Sequence, residues 1–104
     1  MNQSNRKIIR KKIESLAPKM QPLLPNLPSH PQGRIAIAHM YDVLKSVFGV
    51  PLEQVSDHRL NDALAILDYC MANAKIKSVA TPLRLIYDPE PEPQPRATLD
   101  RFFE

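Results

Sequence analysis

Two helix-forming runs lie in residues 34–75, RIAIAHMYDVLKSVFGVPLEQVSDHRLNDALAILDYCMANAK. In both runs apolar side chains recur every three or four residues, which is the period of a helix that buries one face. The first run ends at Phe48, and Gly49 follows where a left-handed C-terminal cap is expected. Pro51 then opens a short turn, and the second run ends near Lys75. This stretch therefore predicts an antiparallel helical hairpin in a mainly α domain.

The caps and buried faces of these two helices follow from the same spacing. We expect Ser56 or Asp57 to cap the second helix by accepting hydrogen bonds from its first backbone N–H groups. The structural turn between the helices is predicted to consist of Phe48, Gly49, Val50 and Pro51. The apolar stripe of the first helix consists of Ile37, Met40, Tyr41, Leu44, Val47 and Phe48. That of the second helix consists of Leu60, Ala63, Leu64, Leu67, Cys70, Met71 and Ala74.

A further predicted helix over residues 4–17 carries most of the positive charge. Ile9 and Ile13 belong to its apolar stripe, and we expect Pro18 to end it because the residue before a proline is pushed out of the helical region. Residues 1–20 hold six basic side chains and one acidic side chain, whereas the whole chain has a net charge of +3. The outer face is either a solvated surface or a site for nucleic acid or an acidic partner. The candidate binding residues are Arg6, Lys7, Arg10, Lys11 and Lys12.

The chain contains 11 prolines and two glycines, and most of the prolines fall in two clusters. The first cluster predicts a proline-rich strap over residues 19–32, in polyproline II form, with leucines that pack on the domain. The second cluster, over residues 89–95, predicts a stiff spacer in which proline alternates with acidic residues or glutamine. Residues 76–88 are rich in β-branched and aromatic side chains and contain Pro82, so they predict an extended edge segment.

Catalytic and metal-binding patterns are missing from the sequence. The three histidines lack the spacing of metal ligands, and there is no CxxC or HExxH pattern and no glycine-rich phosphate loop. We expect His39 to form a surface or interface pair with Asp42, and the single cysteine, Cys70, to be a small buried hydrophobe. These observations predict a protein that is not an enzyme and has no cofactor. With neither a signal peptide nor an apolar run that could span a membrane, the sequence favours a cytoplasmic protein.

Residues 39–67 contain an aromatic residue, a leucine, a Phe-Gly-Val turn and a helix with an acidic-alanine-leucine step. In this pattern the chain resembles the helical C-terminal domain of phage antirepressor proteins. The resemblance implies a phage or prophage protein of a bacterial host cell that regulates by protein–protein interaction. Its expected partner is a phage repressor or a host DNA-transaction protein, and homo-oligomerisation is an alternative. The matching residues are Tyr41, Leu44, Phe48, Gly49, Val50, Val55, Arg59, Asp62, Ala63 and Leu64.

Apolar side chains reappear abruptly in the last nine residues, 96–104. Leu99, Phe102 and Phe103 have the i, i+3, i+4 spacing of one helical turn, which is typical of a linear docking motif. Together with Asp100 they resemble the leucine and paired aromatics of sliding-clamp-binding peptides. The segment is expected to dock on a sliding clamp, on another protein groove or on the chain's own core. With the basic helix, it supports an alternative function as a nucleic-acid-binding or replication and recombination accessory protein.

The sequence thus predicts one small helical domain with attached segments. Its parts are a basic amphipathic helix (1–18), a proline-rich strap (19–32), a helical core with an extended edge segment (33–88), a spacer (89–95) and a docking segment (96–104). This organisation favours a small regulatory binding protein over an enzyme, and it predicts no association with membranes.

Overall fold

The computed structural model describes residues 1–25, 35–76 and 78–90. Its α-helices are α1 (Gln3–Met20), α2 (Ala36–Phe48), α3 (Leu60–Ala72) and α4 (Ala80–Ile86). Short 3-10 turns cover Gln21–Leu23, Leu52–Gln54 and Asp57–Arg59, and these described ranges contain no strand. The predicted mainly α class is therefore confirmed.

Helix α1 contacts both α2 and α3, while α2 also contacts α3 and α4. The buried side of α1 consists of Ile9, Ile13, Ala17 and Met20. These residues share one hydrophobic core with the buried faces of α2 and α3, including Met40, Leu44, Phe48, Ile66 and Leu67. Full burial of one large apolar side chain stabilises a fold by about 1.5–3 kcal/mol, so this core holds the three longer helices together. The antiparallel arrangement of α2 and α3 as a hairpin stays a prediction.

The end of α2 has the geometry that its sequence predicts. Gly49 is the C-cap, with φ 77° in the left-handed region, and its N–H donates to the carbonyl of Lys45 at 2.8 Å. The carbonyl of Phe48, the last residue of α2, accepts a hydrogen bond from the N–H of Glu90 at 2.8 Å. The N–H of Glu90, which follows α4 in the chain, thus satisfies a carbonyl at the end of α2. This bond holds Glu90, which the sequence assigns to the spacer, against the folded domain.

The prediction that Pro18 ends α1 is wrong, because the helix continues to Met20. A proline inside a helix removes one backbone hydrogen bond and crowds the preceding turn. Here the proline lies close to the helix end, where few later hydrogen bonds depend on it. The continued helix also brings Met20 into the core with no exposed surface. Burial of that side chain offsets the disturbance, so the boundary predicted at residue 18 falls inside a helix.

The prediction of an extended edge segment over residues 76–88 is also wrong, because Ala80–Ile86 form α4. Pro82 is the third residue of this helix, and an N–H at that position would have no partner within the helix. Proline is therefore tolerated there, as it is in the first turn of helices generally. Leu83 is buried, and Arg84 Nε donates to the carbonyl of Ser46 at 3.3 Å, which fastens α4 to α2.

Neither predicted cap of α3 makes a capping hydrogen bond to that helix. Ser56 Oγ instead donates to Glu90 Oε2 at 2.9 Å. The side chain of Asp57 accepts from the N–H of Asn2, whose own side chain caps α1 by accepting from the N–H of Asn5 at 2.8 Å. The two residues therefore fasten distant parts of the chain to the loop before α3.

The start of the predicted strap is helical and not polyproline II. Pro22 lies in the 3-10 turn Gln21–Leu23, while Leu24 is buried in the core and Leu23 packs against it. Gln21 Oε1 accepts from the N–H of Ala36 at 2.8 Å and thereby satisfies a donor at the start of α2. Residues 26–32 of the strap lie outside the described residues.

Candidate binding groove

A cavity of about 550 Å³ lies between α1, α2 and the turn Leu52–Gln54. This cavity is named the basic groove here. Its α1 wall consists of Gln3, Arg6, Lys7 and Arg10. Its α2 wall consists of Tyr41, Asp42 and Lys45, and the turn supplies Pro51, Leu52 and Glu53. Cavities of about 300–1,000 Å³ are the usual size of ligand sites.

The helical period explains why the cations of α1 face the groove. Arg6 and Arg10 lie three positions before the buried Ile9 and Ile13, so the helical period places them beside the buried stripe, where α1 borders its neighbours. Arg6 and Arg10 are separated by one helical turn and line the same wall. The backbone nitrogen of Met1 donates to the carbonyls of Leu52 at 2.9 Å and Glu53 at 3.2 Å. These bonds hold the start of α1 on the turn and so fix one end of the groove.

The structure brings together three of the five predicted basic residues. Arg6, Lys7 and Arg10 line the groove, but Lys11 is exposed and does not line it. Lys12 points elsewhere, since its Nζ lies 2.7 Å from Asp68 Oδ1 and links α1 to α3.

Sequence reasoning missed Lys45, which adds a fourth cation from the opposite wall of the basic groove. Lys45 follows Asp42 by three residues on the polar side of α2, so its exposure was foreseeable. Its position opposite Lys7 and Arg10 depends on how α1 docks on α2. No local sequence signal reports that docking.

The cations of the basic groove are only loosely neutralised by the protein. Arg6 Nη1 lies 3.7 Å from Glu53 Oε1, and Arg10 Nε lies 3.9 Å from Glu14 Oε1. Both distances exceed the hydrogen-bond range, and all four side chains are at least 39% exposed. Exposed pairs of this kind contribute about 0–1 kcal/mol. The Arg6 and Arg10 side chains can therefore leave these pairs at little cost.

One donor on the groove wall has no hydrogen bond to any residue that the structure describes. Arg6 Nε is shielded from solvent and yet lacks a partner within that part of the chain. A guanidinium presents five N–H donors in a planar fork, and this fork matches a carboxylate or a phosphate. The Nε of Arg6 is thus a buried donor that is unpaired among the described residues, while its Nη1 end faces Glu53 at the groove and is the part that an anionic group can reach.

A second cluster, around Arg59, is already satisfied within the fold. Arg59 lies over the ring of Phe48 at 4.6 Å and pairs with Asp62 at 3.2 Å and Glu90 at 3.3 Å. Burial by itself would raise the pKa of Glu90, but hydrogen bonds from Ser56 and Arg59 outweigh it and hold the pKa below the ordinary value. The cavity of about 600 Å³ beside this cluster consequently offers no loosely paired cation like those of the basic groove.

The predicted structural turn belongs to this second cluster and to the edge of the groove. Phe48 is buried under Arg59, Gly49 caps α2, and Val50 packs against the core. Pro51 lines the basic groove. Pro51 thus contributes to the lining of the groove, while Phe48, Gly49 and Val50 contribute to the packing and to the end of α2.

His39 and Cys70, two candidates for chemistry within the described residues, are both buried. His39 is 4% exposed, so it does not lie at the surface as one form of its predicted pair with Asp42 required. The residue lies one turn before Val43, on the same buried side of α2. Cys70 is buried, and desolvation raises the pKa of its thiol to about 12, which leaves it protonated and unreactive at neutral pH. Within residues 1–25, 35–76 and 78–90, no three His, Cys, Asp or Glu side chains could hold a metal ion together.

The proposed docking residues Leu99, Asp100, Phe102 and Phe103 lie outside the described residues, so their role stays a prediction. Among the helices of the described part, none has the length and apolarity needed to cross a membrane. Comparison with protein-family models, with curated proteins and with solved structures found no match.

Proposed function

We propose that the protein is a small regulatory binding protein, without enzymatic activity, that docks a segment of a partner protein in the basic groove. The observation that carries this proposal is the groove itself, with loosely paired cations on two walls and apolar surface at Pro51 and Leu52. It has the size of a ligand site, whereas Cys70 is buried and Arg59 is paired with Asp62 and Glu90 within the fold.

The lining of the groove favours a protein segment over duplex DNA. Asp42 and Glu53 interrupt the cations of the lining, so the groove presents no continuous positive track for a duplex backbone that carries one charge per about 1.7 Å. A concave site of about 550 Å³ also fits a few residues of a peptide better than the convex surface of a duplex. Tyr41 and Leu52 add the apolar contacts that peptide recognition uses and that a phosphate backbone cannot use.

The regulatory setting of this proposal comes from the resemblance of residues 39–67 to the phage antirepressor domain. On this resemblance we propose that the protein acts in the cytoplasm of a bacterial host, on a phage repressor or another factor of DNA transactions. The resemblance residues Phe48, Gly49, Arg59 and Asp62 lie together in the second cluster, which supports a shared way of packing this turn. The proposed partner segment binds in the basic groove and not at the second cluster.

A second candidate function rests on the exposed cations of α1. Lys7 and Lys11 are exposed and form no ion pair with the described residues, so they could contact phosphates as a nucleic-acid or replication accessory protein requires. The clamp-like residues Leu99, Phe102 and Phe103 belong to the same candidate. A double change, Phe102→Ala with Phe103→Ala, should then abolish co-elution with a purified sliding clamp and leave the helical circular dichroism unchanged.

The proposed function is tested by affinity capture with a pair of matched variants. Lys7→Gln with Lys45→Gln removes two groove cations, whereas Lys19→Gln with Lys75→Gln removes two exposed cations outside the groove. Both variants change the net charge equally and should keep the wild-type circular dichroism. We expect a partner protein from lysogenic bacterial cells to be captured by the wild type and the control variant and lost with the groove variant. Once purified, the captured partner should again bind the wild type and the control variant but not the groove variant.

Two results would overturn the proposed function. Equal capture of the partner by the groove variant would show that it docks elsewhere. Capture that depends on nuclease-sensitive nucleic acid would favour the second candidate.

A further inference from the structure

We infer that the segment bound in the basic groove is acidic and extended, with carboxylates at alternate positions. This inference rests on the proposed function and names the chemistry of the partner. Four cations and two carboxylates line the groove, so its charge is complementary to a segment with several Asp or Glu residues.

The arginines of the α1 wall are ready to exchange partners. The distances of 3.7 Å for Arg6 to Glu53 and 3.9 Å for Arg10 to Glu14 leave both guanidinium groups without a charge-assisted hydrogen bond in these pairs. A carboxylate that entered the groove could form such bonds at about 2.7–2.9 Å.

The spacing of these arginines matches alternate residues of an extended chain. Arg6 and Arg10 are four residues apart on a helix, which corresponds to a rise of about 6 Å. Side chains two residues apart in an extended segment are separated by about 6.5–7 Å and point to the same side. Two carboxylates at positions i and i+2 can therefore meet Arg6 and Arg10 together. The intervening side chain then faces the opposite wall, where Tyr41 and Lys45 lie.

A helical segment with carboxylates four residues apart would present the same charge spacing. Its carboxylates would all lie on one face, because a helix directs residues four apart to the same side. An extended segment directs successive side chains to opposite sides, so it meets the arginines of α1 and the wall of Tyr41 and Lys45 together. The extended form therefore uses both walls of the groove.

The test measures binding of fluorescein-labelled octapeptides to the full chain by fluorescence anisotropy at low salt. One peptide alternates glutamate with serine, a second has four glutamates followed by four serines, and a third alternates glutamine with serine. We expect the alternating glutamate peptide to bind about fivefold more tightly than the block peptide. It should bind at least about tenfold more tightly than the glutamine peptide, since two ion pairs are lost.

The matched variants assign that binding to the groove. Lys7→Gln with Lys45→Gln should weaken binding of the alternating glutamate peptide by about tenfold, because both changes remove charges that face it. Lys19→Gln with Lys75→Gln should change binding by less than about twofold. Circular dichroism and thermal unfolding of both variants establish that each is folded under the assay conditions.

Other results would overturn the inference. Equal affinity for the alternating and block peptides would exclude the extended spacing, and equal weakening by both variants would show binding to net charge alone. A single-stranded DNA oligonucleotide that displaces the peptide at lower concentration would assign the groove to nucleic acid. If the partner captured from cells still depends on Lys7 and Lys45 while no peptide binds, only the acidic segment is wrong. If neither partner capture nor peptide binding depends on Lys7 and Lys45, the proposed function is wrong as well.

Discussion

At the scale of single residues, Gly49 and Glu90 control how α2 ends. Gly49 adopts φ 77°, a region that costs a residue with a side chain about 1–2 kcal/mol. A β-carbon at this position would meet Pro89 Cβ at 3.6 Å, which is an ordinary contact. The need for glycine is therefore a matter of backbone conformation and not of space.

Replacement of Gly49 tests this distinction. We expect Gly49→Ala to lower the free energy of unfolding by about 1–2 kcal/mol, measured by urea denaturation. Gly49→Asn should lower it less, because asparagine tolerates the left-handed region better than alanine. Equal losses for the two variants would mean that crowding against Pro89 matters more than the backbone angle.

Protonation of Glu90 should make stability depend on pH in the acidic range. The hydrogen bonds from Ser56 and Arg59 hold the folded-state pKa of Glu90 below its ordinary value of 4.5. The unfolded chain then binds more protons in this range, so the stabilisation is present above the unfolded pKa and is lost as the pH falls through the folded pKa. We expect Glu90→Gln to reduce the slope of unfolding free energy against pH below about pH 5. An unchanged slope would show that other carboxylates account for it.

At the scale of elements, local patterns predicted the helices that bury an apolar stripe but misjudged the prolines. The period of apolar residues located α2 and α3, and Gly49 marked the end of α2. The sequence predicts a helix end at Pro18 and an extended edge segment around Pro82, yet one proline lies near the end of α1 and the other in the first turn of α4. Proline disturbs a helix least near its ends, so composition alone overstated their effect.

Replacement of Pro18 tests how much strain α1 carries. Pro18→Ala restores an N–H that can donate to the carbonyl of Glu14, and the exposed ring makes no core contact that would be lost. Against this gain, alanine increases the entropy of the unfolded chain by about 0.4–1 kcal/mol. We expect a net stabilisation of about 1–2 kcal/mol, together with increased helical ellipticity. A lower melting temperature would show that the proline ring contributes to packing.

At the scale of the whole molecule, the basic groove could not be derived from any one segment. The sequence identified Arg6, Lys7 and Arg10 as a charged face, but Lys45 joins them only because α1 docks on α2. Lys12 was grouped with them and instead serves the contact with α3 through Asp68. Glu90 was assigned to a spacer, although its carboxylate belongs to the second cluster. Local patterns indicate which side of a helix is polar. Which residues that side contacts depends on how segments that are distant in the sequence pack together.

The distribution of charge over the whole molecule also predicts how it responds to DNA. If the groove serves a protein segment, a short DNA duplex should bind weakly, and its affinity should fall as salt rises from about 50 to 200 mM. The groove variant and the control variant should weaken this binding equally, because only net charge is involved. A much larger loss for Lys7→Gln with Lys45→Gln, measured by anisotropy of a labelled duplex, would contradict the preference for protein.

The hydrogen bond from Glu90 to Phe48 fixes the origin of a tether. The described part of the chain ends at Glu90, whose N–H is held on the carbonyl of Phe48, the last residue of α2. Leu99 follows Glu90 by nine positions, and a chain of that length reaches at most about 30 Å. A partner that engages both Leu99 and the groove would therefore meet the second contact at a local concentration in the millimolar range. Two individually weak contacts would then act as one avid, bivalent attachment, and loss of the Glu90 anchor would weaken it without altering either contact.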